Sequence, residues 1–183
     1  MKSARRMAIL PLLFLLSCSG HRSDVKGWES IRWGNTLTNA KALLGPEAHE
    51  VVEKPPVQGT PKLGYRARLG IDGMSIGGIK CSVLISTPND SDKIIAVQLS
   101  SADNLTDNLG ARASEFQTFM TLLTEKYGAP KIHTRIEQFE NETVMWTFPS
   151  TTITLAWQED RFLKIGAVTI EYKATDRISL DRL

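Results

Sequence analysis

Apolar residues along this chain follow three patterns, and each predicts a different kind of segment. Ile79, Cys81, Val83 and Ile85 alternate with Lys80, Ser82, Leu84 and Ser86, the period of two expected of a strand with one better-buried face. The same period runs through Lys93–Ser100, with Ile95, Val97 and Leu99 on one side, and more weakly through Tyr65–Ile71, which a turn at Asp72-Gly73 follows. Four more strands are expected at Lys131–Gln138, Thr143–Phe148, Thr152–Gln158 and Lys164–Lys173. A repeat of 3.6 predicts two helices. Leu37, Ala40, Leu43 and Leu44 follow a capping Thr36 and stop at Gly45-Pro46. Phe116, Phe119, Met120, Leu123 and Tyr127 form a longer stripe, with Ser114 as cap, Gln117 completing a capping box, and Gly128 and Pro130 as the stop. Between these elements, Glu50–Gly64 and Ser101–Ala113 read as loop, and Trp28–Trp33 as an extended lead-in. The third pattern is an unbroken apolar run from Met7 to Leu16, shorter than the roughly 20 residues a membrane-spanning helix needs.

Strands clustered after each helix and joined by short turns predict an α+β fold: an antiparallel sheet of about six or seven strands covered by two helices. The order helix-then-meander occurs twice, which suggests a duplicated unit with pseudo-halves at about 28–105 and 106–175.

The apolar run has basic residues before it (Lys2, Arg5, Arg6) and ends in Leu15-Leu16-Ser17-Cys18. This closely resembles the lipobox of bacterial lipoprotein signals. The resemblance implies cleavage between Ser17 and Cys18, acylation of Cys18, and a chain held to a membrane by its acyl groups. An ordinary secretory signal that happens to end at a cysteine is the alternative. Ser19 stands where an aspartate would mark inner-membrane retention, so the family rule points to the outer membrane, facing the periplasm. The expected organisation is a signal peptide at 1–17, an acylated polar tether at 18–27 and one periplasmic domain at 28–183.

Charge changes meaning once the leader is set aside. Three of the 22 basic residues lie in it, leaving 19 against 20 acidic, so the remaining 166 residues are close to neutral. A body of that size buries enough surface to fold without disulfides, and its charge offers no footprint for nucleic acid. With Cys18 acylated, Cys81 is the one thiol left, expected as a small buried hydrophobe.

Trp33-Gly34-Asn35-Thr36 followed by Leu43-Leu44-Gly45-Pro46 resembles an element of small lipoproteins of the SmpA/OmlA barrel-assembly type and, more loosely, of the repeats of β-lactamase inhibitor protein. The match covers about a dozen residues and departs at Asn39, where a Glu or Gln would complete the capping box, and at Pro46, which follows Gly45 with no spacer. Tyr127-Gly128-Ala129-Pro130 and Trp146-Thr147-Phe148 resemble the helix stop and Trp-rich meander of other bacterial lipoproteins. The first of these families assists outer-membrane protein assembly, and the second is a secreted two-unit inhibitor. The shared element supports the fold class and says little about activity, and the last resemblance implies no known activity. No cofactor is expected.

Catalytic and metal-binding signatures are missing from the chain. His21, His49 and His133 have no partner at metal-ligand spacing, and HExxH, CxxC, GxSxG and phosphate-loop sequences are absent. Glu137, Glu140 and Glu142 cluster at an expected hairpin turn, where solvated charge is the ordinary reading and acid–base or calcium chemistry the alternative. Trp146 and Trp157 are expected in the core; Trp28 and Trp33 are expected there too, with an anchoring role at a membrane or partner as the alternative. The expected function is therefore non-catalytic: a binding or accessory module for an envelope protein. An inhibitor of a periplasmic hydrolase is the second reading, and a hydrolase using surface carboxylates the third.

Overall fold

The computed structural model describes residues 23–52, 64–101, 109–136, 141–160 and 165–175. Ser17, Cys18 and His21, with the expected cleavage and acylation, lie outside the described residues, as do Glu137, Glu140 and residues 53–63.

Trp28–Trp33, expected as a lead-in, folds into a tight hairpin of β1 (Gly27–Trp28) and β2 (Ile31–Arg32), turning through Glu29 at φ 50°. Gly27 is required there, because a Cβ would collide with the Ile31 carbonyl. Next comes α1 (Leu37–Leu44), bounded as its sequence predicts. The Thr36 hydroxyl accepts from the Asn39 amide at 3.2 Å, and Gly45, at φ 79°, closes the last turn on the Lys41 carbonyl. Ala40 is its fully buried residue, while Leu43, expected in the stripe, is 52% exposed.

The first meander comprises β3 (His49–Glu50), β4 (Tyr65–Ile76), β5 (Ile79–Pro88) and β6 (Ala96–Ser100). Asp72-Gly73 is a bulge inside β4 instead of the expected turn: the register shifts between Ile71 and Met74, and the chain reverses at Gly77-Gly78. The last meander strand starts at Ala96, not Lys93, because Lys93 bridges to Thr36.

The second helix, α2, spans Leu109–Tyr127 and begins before the expected Ser114 cap. Buried Arg112 explains the extension. Its Nη1 donates to the Ser101 carbonyl at 2.7 Å and to Glu115 Oε2 at 2.7 Å, tying the early helix to the end of β6. Phe116, Phe119 and Leu123 are buried as the stripe requires, with Met120 and Tyr127 packed beside them. Strands β7 (Ile132–Ile136), β8 (Asn141–Thr147), β9 (Thr151–Asp160) and β10 (Ile165–Ala174) follow. The Trp146 indole donates to the Gly128 carbonyl at 2.7 Å, joining β8 to the helix stop.

The α+β class holds, and the sheet is wider than expected. Among the described residues, eight strands run in the order β3-β4-β5-β6-β10-β9-β8-β7, every neighbouring pair antiparallel, with β1 and β2 forming a separate pair. Counted inward from either edge, four strands follow one helix, and the two sets meet where β6 pairs with β10. The extra strand is β3, only two residues long and placed by Leu69 and Gly70 of β4.

Period-two alternation sends one set of side chains to the helices. One rung reads Val144, Leu155, Ile170, Leu99, Val83 and Ile71; the next reads Trp146, Ile153, Tyr172, Val97, Ile85 and Leu69. All twelve are buried and belong to one core that also holds Trp28, Trp33, Ala40, Phe116 and Phe119. At roughly 1.5–3 kcal/mol for each large apolar side chain buried, these two rungs are the main source of cohesion across the sheet. The described part of the segment expected as a tether is tied to this body. Asp24 accepts from the Ser150 amide at 2.9 Å, and the Val25 carbonyl accepts from the Thr151 hydroxyl.

Candidate functional site

The alternation that builds the core builds an opposite face as well, away from the helices. Its rungs also cross the sheet. Thr134, Thr143, Ala156, Thr169, Ser100 and Ser82 form one; Ile132, Met145, Thr154, Glu171, Gln98 and Leu84 form a second; Thr147, Thr152, Lys173, Ala96, Ser86 and Ala67 form a third. Threonine dominates because it suits strand backbone and still offers a hydroxyl to solvent. Most of these positions are partly or fully exposed.

Small residues let one aromatic ring lie across this face. From β4, Tyr65 reaches β10, where its hydroxyl donates to Glu171 Oε1 at 3.1 Å and its ring lies 5.1 Å from the Lys173 ammonium. Burial, and then the Glu171 carboxylate, push the Tyr65 phenol above its ordinary range. Beside this trio is a shallow cavity of about 480 Å³, floored by Met145, Thr152 and Thr154 and bounded by Glu171, Lys173 and Thr175. Such an arrangement presents hydroxyls, one carboxylate and one ammonium over a broad surface.

A second concavity, of about 500 Å³, lies on the helix side, among Trp28, Ile76, Phe119, Leu122, Leu123 and Tyr172. Its rim carries Glu29 and Lys126, 3.9 Å apart. Gly77 lies so close that a Cβ would come within 2.6 Å of Leu122, which fixes the β4–β5 turn against α2.

The residues singled out from sequence are scattered. His49 lies 3.7 Å from Asp72, and half-exposed His133 hydrogen-bonds at 2.6 Å to Glu142. Glu142 is buried in β8, not solvated on a turn. Among the described residues, no group of three or more His, Cys, Asp and Glu could hold a metal ion. Cys81 is fully buried, as its place in the alternation predicts, and its Sγ donates to the Ile79 carbonyl at 3.7 Å. Trp28, Trp33 and Trp146 are buried in the core, and Trp157 packs against it, 6.2 Å from Phe116. The sequence reading missed the trio of Tyr65, Glu171 and Lys173. Its signal was available in outline, because every outward threonine is the alternation partner of a core residue. Among the described residues, no helix is long and apolar enough to cross a membrane. Compared with family models, with curated proteins and with solved structures, the chain finds no match.

Proposed function

We propose that this protein is a membrane-tethered, non-catalytic binding module that serves an envelope protein. Acyl groups on Cys18 hold it to the outer membrane, facing the periplasm, and the open sheet face makes the contact. The observation that supports this most is the character of that face: wide, shallow, rich in threonine, and centred on Tyr65, Glu171 and Lys173. Broad surfaces with an aromatic anchor among adaptable polar groups suit protein partners better than small substrates.

Two measurements test the reading. Palmitate labelling of the exported chain should vanish in Cys18→Ser; label that survives this change removes the tether. Crosslinked pull-down from intact cells should enrich one reproducible envelope protein, and Lys173→Glu with Thr154→Arg should abolish that capture. Recovery of no partner under several crosslinkers, or capture indifferent to both substitutions, removes the contact face.

The second reading, an inhibitor of a periplasmic hydrolase, draws on the strand order. A helix followed by four strands occurs twice around the β6–β10 pair, in keeping with a two-unit inhibitor. It requires nanomolar inhibition of a lysozyme, protease or lactamase; flat titrations against all three dismiss it.

A further inference from the structure

The two edges of the sheet differ. An edge strand leaves a row of unpaired N–H and C=O groups that can template another strand, and proteins blunt such edges with shortness, proline or lysine. The β3 edge is blunted by its two-residue length. By contrast, β7 offers five consecutive exposed residues, Ile132-His133-Thr134-Arg135-Ile136, with neither proline nor lysine among them. Ile132 and Ile136 are each 47% exposed, although Ile is ordinarily a buried residue.

This strand is a palindrome in character. Ile132, Thr134 and Ile136 lie on the open face, and His133 and Arg135 lie on the helix side. We propose that β7 is a self-association edge, on which a second copy of this chain adds its own β7 antiparallel, with Thr134 on the twofold axis. In that register Ile132 pairs with Ile136 of the second copy, twice by symmetry. Met145, the neighbour of Ile132 in β8, extends each apolar row. Thr134 pairs with itself. On the other side, Arg135 meets His133 of the second copy, which hydrogen-bonds to its own Glu142, so a carboxylate stands beside the incoming guanidinium. Neighbouring registers are worse. Centring on Arg135 opposes two guanidinium groups, and centring on His133 opposes two imidazoles and parts the isoleucines. The product is a sheet twice as wide, with both open faces on the same side, and it does not depend on the tether or on any particular envelope partner.

Five residues a side make a small interface, so the association is a weak, measurable equilibrium. Sedimentation equilibrium of the Cys18→Ser chain, up to about 1 mM, should show a concentration-dependent monomer–dimer equilibrium. The double substitution Ile132→Lys, Ile136→Lys should weaken it by at least about tenfold. The control is Val52→Lys, at a 90% exposed position just past β3, which should leave it unchanged. Register is tested separately. In the same background Thr134→Cys should form a disulfide dimer on mild oxidation, because a directly opposed pair has its Cβ atoms about 4.5–5.5 Å apart. Ile132→Cys should not, because its two copies lie four residues apart along the pair, about 13 Å. A wild-type chain that stays monomeric throughout, a dimer that survives the lysines or yields to Val52→Lys, or equal crosslinking by both cysteines overturns the proposal.

Discussion

The indole Nε1 of Trp33 donates to the hydroxyl of Thr151 at 2.6 Å, inside the core and across 118 positions of chain. That hydroxyl in turn donates a hydrogen bond to the Val25 carbonyl. One oxygen therefore joins the first described segment to the corner between β8 and β9. Thr151→Val preserves the shape and leaves the indole and the carbonyl without partners, each at a cost of about 1–3 kcal/mol. The thermal midpoint should fall by roughly 5–15 °C, and Thr151→Ser should recover most of the loss. Calorimetry on the three proteins decides it, and equal midpoints would show that the bond contributes nothing.

A second network governs how early α2 begins. Arg112 is buried and donates to the Ser101 carbonyl, the Ser101 hydroxyl and Glu115, which also accepts from the Ser101 hydroxyl at 2.7 Å. Arg112→Met should cost about 2–4 kcal/mol, since it leaves a partly buried carboxylate without its cation. Hydrogen exchange should then quicken in the first turns of α2 and stay slow around Leu123. Uniform acceleration along the helix would contradict the assignment.

This network also shows where the sequence stops being readable. The second half of α2 announces itself through the Phe116–Tyr127 stripe and the Gly128 stop, both local signals. Its first turns depend on Arg112 finding Ser101, a tertiary contact that no spacing encodes. The caps of α1 were legible for the same reason, since Thr36 and Gly45 act on neighbours within four residues. Core rungs such as Val144 and Leu155 followed from alternation. The order of those rungs did not, because alternation fixes a face and says nothing of which strand lies beside which. Asp72-Gly73 misled because a bulge and a turn need the same glycine conformation. The Tyr65 contact with Glu171 needed both the face and the strand order.

Tyr172 sets an alkaline limit. Burial, followed by the adjoining Tyr127 phenol and the Glu29 carboxylate, pushes its phenol far above the ordinary range. The folded-state pKa is raised, so the unfolded chain releases this proton first as pH climbs. The associated stability is intact below about pH 10 and declines above it. Denaturant midpoints should therefore drop steeply beyond that point. In Tyr172→Phe the fall should be shallower, though its neutral-pH midpoint is lower for want of the Tyr127 bond. Parallel curves for the two proteins would rule the residue out as the source.

Cys81 should be silent in the native chain. Its sulfur is fully buried at an inward position of β5, so a thiol reagent has no route to it. In the Cys18→Ser background, colorimetric titration should find no reactive thiol until denaturant is added, and then one. Rapid labelling without denaturant would place the residue at a surface.

The strand order has a consequence for how the chain must mature. Ala96–Ser100 lies in the first meander, yet one flank of it is closed by residues 165–175, the last described stretch of the polypeptide. During synthesis, that flank stays bare until residues 165–175 have emerged. Completion of the sheet therefore waits for this last described strand, and a truncation before Ile165 exposes the middle of the molecule to aggregation.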